Sequence, residues 1–125
     1  MKYKDLNSSN IIDIMLEEIP ELKKTFEAYK KQDNLSLIHN VFAFVFNPFL
    51  KDSLISKNEK RLKNAFNFLE RMASSSDPEI KNILGVTIIE SLSPKQLNIF
   101  LLHAGPRTKK VYEELEKHLQ SIFKR

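Results

Sequence analysis

A chain of 125 residues with no cysteine is the length of one domain, covering 1–125, and is long enough to bury a core without disulfides or thiolate metal sites. Its 20 basic and 16 acidic side chains are interspersed, and a net charge of +4 without a basic stretch makes nucleic acid an unlikely partner. The longest apolar run, Val41 to Phe46, is too short to cross a bilayer, and Asn10 and Asp13 break the amino terminus, so neither a membrane span nor a secretory signal is expected and the expected compartment is the cytoplasm.

Taken in order, Ser8 or Ser9 is the expected cap of a first helix carrying Ile11, Ile12, Met15 and Leu16 inward to about Ile19. Pro20 opens a second, with Leu22, Phe26 and Tyr29 as its stripe and lysines in its last turn. A third runs from about Leu35, with Leu37, Ile38, Val41, Phe42, Phe44, Val45 and Phe46 covering most of its circumference. Pro48 is expected to kink or end it, leaving Phe49, Leu50 and Leu54 in a turn or short helix.

Ser56 with Glu59 has the spacing of a capping box for a fourth helix, whose inward face is Leu62, Ala65, Phe66, Leu69, Met72 and Ala73. After Ser74, Ser75 and Ser76, the stretch from Asp77 to Leu92 starts with a cap, a proline at the first helical position and Glu79 at the positive end of the dipole. Apolar side chains on nearly every face predict a central helix buried on most sides. Ser93 and Pro94 repeat the device for a sixth helix with Leu97, Phe100, Leu101 and Ala104 inward. Gly105 is its expected left-handed C′ residue, and Pro106 starts a seventh that buries Val111, Leu115, Leu119 and Ile122.

The strand pattern of alternating apolar and polar residues is missing, so the fold class is all-α: about seven helices in antiparallel hairpins, as an armadillo- or HEAT-like stack or else a closed helical bundle.

Few residues point to chemistry. Glu90 lies inside the apolar surface on a regular helical wheel and so needs a helix to cap or a cation to pair with. Glu70, beside Phe66, has no nucleophile or phosphate-cradling glycine loop near it in sequence, which argues against an enzyme. His39, Asn40, Ala43 and Asn47 form one polar ledge on an otherwise greasy helix, a candidate recognition face. His103 suits a helix C-terminus, and His39, His103 and His118 have no metal-ligand spacing, so neither metal nor other cofactor is expected. Lys57, Lys60, Arg61, Lys63, Lys109 and Lys110 read as solvated helix faces.

Three stretches together carry a resemblance: HNVFAFVFNPFL, NAFNFLERMASSSDPEIKNILGVTIIESL and AGPRTKKVYEELEK. They are similar to small bacterial all-helical proteins, some of which resemble immunity proteins of contact-dependent growth inhibition and related polymorphic toxin systems. The match runs from Pro20 to Lys117. It implies an armadillo-like protein that binds and blocks a cognate protein toxin, such as an EndoU-type ribonuclease, with Asn47, Pro48, Glu70, Asp77, Glu90, Gly105, Pro106 and Thr108 matching the pattern. Nuclease inhibitors are often acidic, and a charge of +4 departs from that. The expected partner contacts are His39, Asn40, Asn47, Glu70, Glu90 and charges at helix ends such as Arg107. The rival functions are a nucleic-acid-binding helical module and a small helical adaptor.

Overall fold

A computed structural model describes residues 5–32 and 38–123, leaving Leu35 and Leu37 outside the described residues together with the side chain of Ile122. The described chain is all-helical and contains seven helices. These are α1 (Ile11–Glu18), α2 (Leu22–Gln32), α3 (38–56), α4 (Glu59–Ala73), α5 (78–91), α6 (Pro94–His103) and α7 (Pro106–Phe123). None is long and apolar enough to cross a membrane.

The first cap differs from expectation. Asn10 is the flanking residue, and the Asn7 carboxamide oxygen accepts from the amides of Ser9 and Asn10. Ser8 instead donates through its amide and hydroxyl to Asp77, while Ser75 donates its hydroxyl to the Leu6 carbonyl and Ser76 bonds Asp5. The serine run after α4 is thus a strap that holds residues 5–8, with Ser75 and Leu6 buried in it.

Pro48 does not end α3. It lacks the amide that would bond the Phe44 carbonyl, and its ring crowds that carbonyl. The preceding turn, Phe42–Phe46, widens into a π-helix in which the Asn47 amide reaches back to the Phe42 carbonyl, and the helix continues as Asn47–Ser56. Phe44 is consequently 60 % exposed, its ring stacked on Tyr29 of α2 at 6.0 Å. Lys57 then adopts a left-handed conformation, φ 57°, and Asn58 rather than Ser56 caps α4 by accepting from the Arg61 amide.

Helix α4 buries the whole expected face and Phe68 as well. It contacts α1, α3, α5 and α7, so more of the chain is arranged around it than around α5. Its Phe68 ring lies parallel to Phe42 at 6.2 Å and is tilted against Phe46 at 5.9 Å, forming the centre of the core.

Helix α5 starts where expected, with the Asp77 carboxylate accepting from the Glu79 amide. Only Pro78–Asn82 is regular α-helix. Ile83–Ile88 is π-helical and Ile89–Ser91 is 3₁₀. Residues 86–89 are four consecutive β-branched side chains after Gly85, and their χ1 stiffness crowds the preceding turn. The wider turn rotates later residues off the regular wheel, on which each residue advances by about 100°. Ile80, Ile83, Leu84, Ile88 and Ile89 remain buried, whereas Val86 and Glu90 face solvent. The central helix is therefore sheathed on one side rather than all round, and Glu90 needs no buried partner.

The α6 start matches the reading in full: Ser93 and Gln96 exchange hydrogen bonds as a capping box ahead of Pro94.

Candidate functional site

The two π-helical segments face each other, and polar side chains join them. His39 of α3 lies 2.8 Å through Nε2 from the Glu79 carboxylate and 2.6 Å through Nδ1 from the Thr87 hydroxyl, both on α5. Two turns on, Asn47 donates to the Thr87 carbonyl at 3.0 Å and to the Ser91 hydroxyl at 3.3 Å. A π-turn followed by a 3₁₀-turn breaks the regular carbonyl-to-amide ladder, and Asn47 supplies a donor there. The ledge is therefore a clasp between α3 and α5, with Asn47 buried and His39 and Asn40 half-buried. Asn47→Ala is expected to cost about 1–3 kcal/mol, because the half-buried Thr87 carbonyl loses its side-chain donor. The midpoint of urea unfolding measures this; an unchanged midpoint would mean that the Asn47 bonds add nothing to stability.

A second set of polar groups organises the start of α7. Glu70, half-buried on α4, accepts from the Arg107 amide at 2.9 Å, the Thr108 amide at 3.1 Å and the Thr108 hydroxyl at 2.9 Å. It is the cap of a helix remote in sequence, a role that the reading of Glu70 as a partner contact did not include. Burial pushes its carboxyl upward, but the two amides, the hydroxyl and the Arg107 guanidinium outweigh that and hold it below the ordinary carboxylate range. Gly105 is explained by the same contact. No glycine among the described residues has a positive φ, so it is not a left-handed C′ residue. A Cβ placed on it would stand 2.5 Å from Glu70 Oε1, so only glycine leaves room for the carboxylate.

Arg107 is exposed, with its guanidinium Nη1 donating to the Ser74 hydroxyl at 3.1 Å. It stands at the mouth of a groove of about 760 Å³ between α1, α4 and α7, whose polar lining includes Asn64, Asn67, Glu70, Arg71 and Ser74. Arg71 is ion-paired with Glu18 across it. Among the expected contacts, the structure brings Glu70 and Arg107 together, joins His39 and Asn47 through Thr87, and leaves Glu90 apart on a shallow apolar groove with Val86, Leu115 and Leu119. Arg61, expected to be solvated, pairs instead with Glu21 and Asp52. His103 ends α6 with its ring 5.7 Å from Phe66. Among the described residues, no group of three or more His, Asp or Glu side chains is placed to hold a metal ion.

Among the described residues, four large apolar side chains are exposed: Leu102 at 81 %, Phe44, Ile55 and Val86. Sequence reasoning placed Phe44 and Val86 inside and assigned no place to Ile55 or Leu102. On α6, Leu102 shares the outward stripe of Lys95 and Asn98, which three- and four-residue spacing would have revealed.

The model of one protein family, described as domain of unknown function DUF7674, matches residues 12–120. The chain belongs to the DUF7674 family. The match takes in part or all of each of the seven helices, including Asn47, Glu70 and the Gly105–Thr108 segment, so both the clasp and the α7 cap lie within the DUF7674 region. No curated protein and no solved structure matches the chain.

Proposed function

We propose that this DUF7674 protein is a cytoplasmic, non-enzymatic immunity protein that binds a cognate toxin domain, an EndoU-type ribonuclease being one candidate, and neutralises it by occupying its surface. The identity of the partner rests on the resemblance of the three quoted stretches to immunity proteins. The observation that carries a binding role is Leu102, an aliphatic side chain 81 % exposed on a helix whose other face is packed. Helix α3, which carries the exposed Ile55 in its last turn, packs on α6, so both apolar residues lie on neighbouring helices. Such side chains are what a complementary pocket buries, and interface energy concentrates in a few of them.

Co-expression tests the reading. The chain is expected to restore growth to cells producing the toxin domain encoded beside it, and Leu102→Asp to weaken the complex by at least about 2 kcal/mol, roughly thirtyfold, with an unchanged circular dichroism spectrum. Absence of rescue by the unaltered chain, or purified chain that turns over a substrate by itself, overturns the proposal.

A further inference from the structure

The first turn of α7 breaks a local rule. Cations disfavour a helix N-terminus, where the dipole is positive, yet Arg107 and Lys109 stand there, Lys110 follows directly, and the first turn has no acidic residue. Glu70 supplies one carboxylate from α4, and its oxygens are already bonded to the amides of Arg107 and Thr108. Arg107 and Lys110, one turn apart, converge with Lys81 of α5 on a recess of about 530 Å³ beside the end of α4. Glu114 is the one carboxylate in its lining, against three cations. None of the three is ion-paired within the described residues, although the Arg107 guanidinium acts at longer range on the Glu70 carboxylate. The lining also includes Ala73 and Val111, both buried, while the three cations themselves are exposed at its rim.

One of the three donors, the Arg107 guanidinium, is held in place before any ligand arrives. Ser74 gives its hydroxyl proton to the Glu70 carbonyl at 2.8 Å and accepts from Arg107 Nη1, which fixes the guanidinium while committing one of its five N–H groups. The remaining fork can make paired hydrogen bonds to an oxyanion, with two ammonium groups approaching from other directions. A planar carboxylate uses the fork alone; a tetrahedral dianion engages the fork and both ammonium groups and offsets more of the charge.

We infer that the recess formed by Lys81, Arg107 and Lys110 binds a phosphate group. The phosphate belongs either to a small phosphomonoester or to a nucleic-acid backbone, and the site is independent of the toxin-binding surface proposed above.

Titration of inorganic phosphate into the full chain at constant ionic strength, followed by amide chemical shifts, tests this. Saturable shifts clustered at Ser74, Lys81, Arg107 and Lys110 are expected, and acetate at equal ionic strength is expected to give none. Lys81→Glu and Lys110→Glu should each weaken binding at least about tenfold while circular dichroism stays unchanged. Glu114→Gln should strengthen binding, since it removes the only anion in the lining, an effect that a merely structural role for these residues would not produce. Pyrophosphate and a short single-stranded RNA separate the two sources. Tighter binding of pyrophosphate assigns the site to a small phosphate compound, and tighter, steeply salt-dependent binding of the RNA assigns it to a backbone. Shifts that fail to saturate, that scatter over the surface, or that persist unchanged in Lys81→Glu overturn the inference.

Discussion

Phe68→Ala is expected to be the most damaging single substitution, lowering stability by about 3–5 kcal/mol. The ring is fully buried on the side of α4 that faces α3, parallel to Phe42 and tilted against Phe46. Its removal forfeits the apolar surface taken from water, two ring contacts, and the packing of a void between helices that Pro48 and the π-turn hold in one geometry. Domains of this size have roughly 5–15 kcal/mol of total stability, so the variant should melt on the order of 10–20 °C lower. Phe44→Ala is the control. That ring is exposed and stacks only on Tyr29 among the described rings, so its loss should shift the melting temperature by a few degrees at most, as is usual for exposed positions. Calorimetry distinguishes the two, and similar losses for both would mean that α3 does not pack on α4 through this face.

The second large effect is a change of sign at Gly105. In the unaltered protein, Gly105→Ala sets a methyl group 2.5 Å from Glu70 Oε1, so the carboxylate must shift and its bonds to the Arg107 and Thr108 amides are weakened or lost. Loss of such a cap costs about 1–2 kcal/mol, which is also the cost expected for Glu70→Ala. Once Glu70 is alanine, the obstruction is gone. Gly105 has no positive φ, so alanine fits its backbone and restricts the unfolded chain; the same substitution should then stabilise by about 0.4–1 kcal/mol. A double-mutant cycle measures the coupling, and additive effects would rule out the shared contact.

The cap also has a pH signature. The Glu70 carboxyl is held below the ordinary range, so its contribution is present above the unfolded value and is lost as pH falls through the lower folded one. Glu70→Gln should accordingly lose stability near neutrality and show a flatter acid limb. An acid limb identical to that of the unaltered protein would mean that the carboxylate is not bonded to α7.

Much of the architecture was legible before any coordinates. Helix starts at Asp77 and Ser93 are written in cap residues followed by proline, and both appear in the structure because caps act within four residues. The apolar face of α4 was legible for the same reason: three- and four-residue spacing along a regular helix determines which side chains share a side. Where the helix is not regular, spacing misleads. The π-turns of α3 and α5 put Phe44, Val86 and Glu90 in solvent although each falls among apolar neighbours on an ideal wheel.

Sequence by itself determined the class of fold, the number of helices and most of the residues that bury, all consequences of local periodicity and local capping. Only the tertiary structure decided what the polar residues do. Glu70 and Thr108 are 38 positions apart, and His39 and Thr87 are 48 apart, so no pattern along the chain pairs them. A hydrogen-bonding group left inside must find a partner wherever folding brings one, and that meeting is a property of packed helices rather than of any one of them.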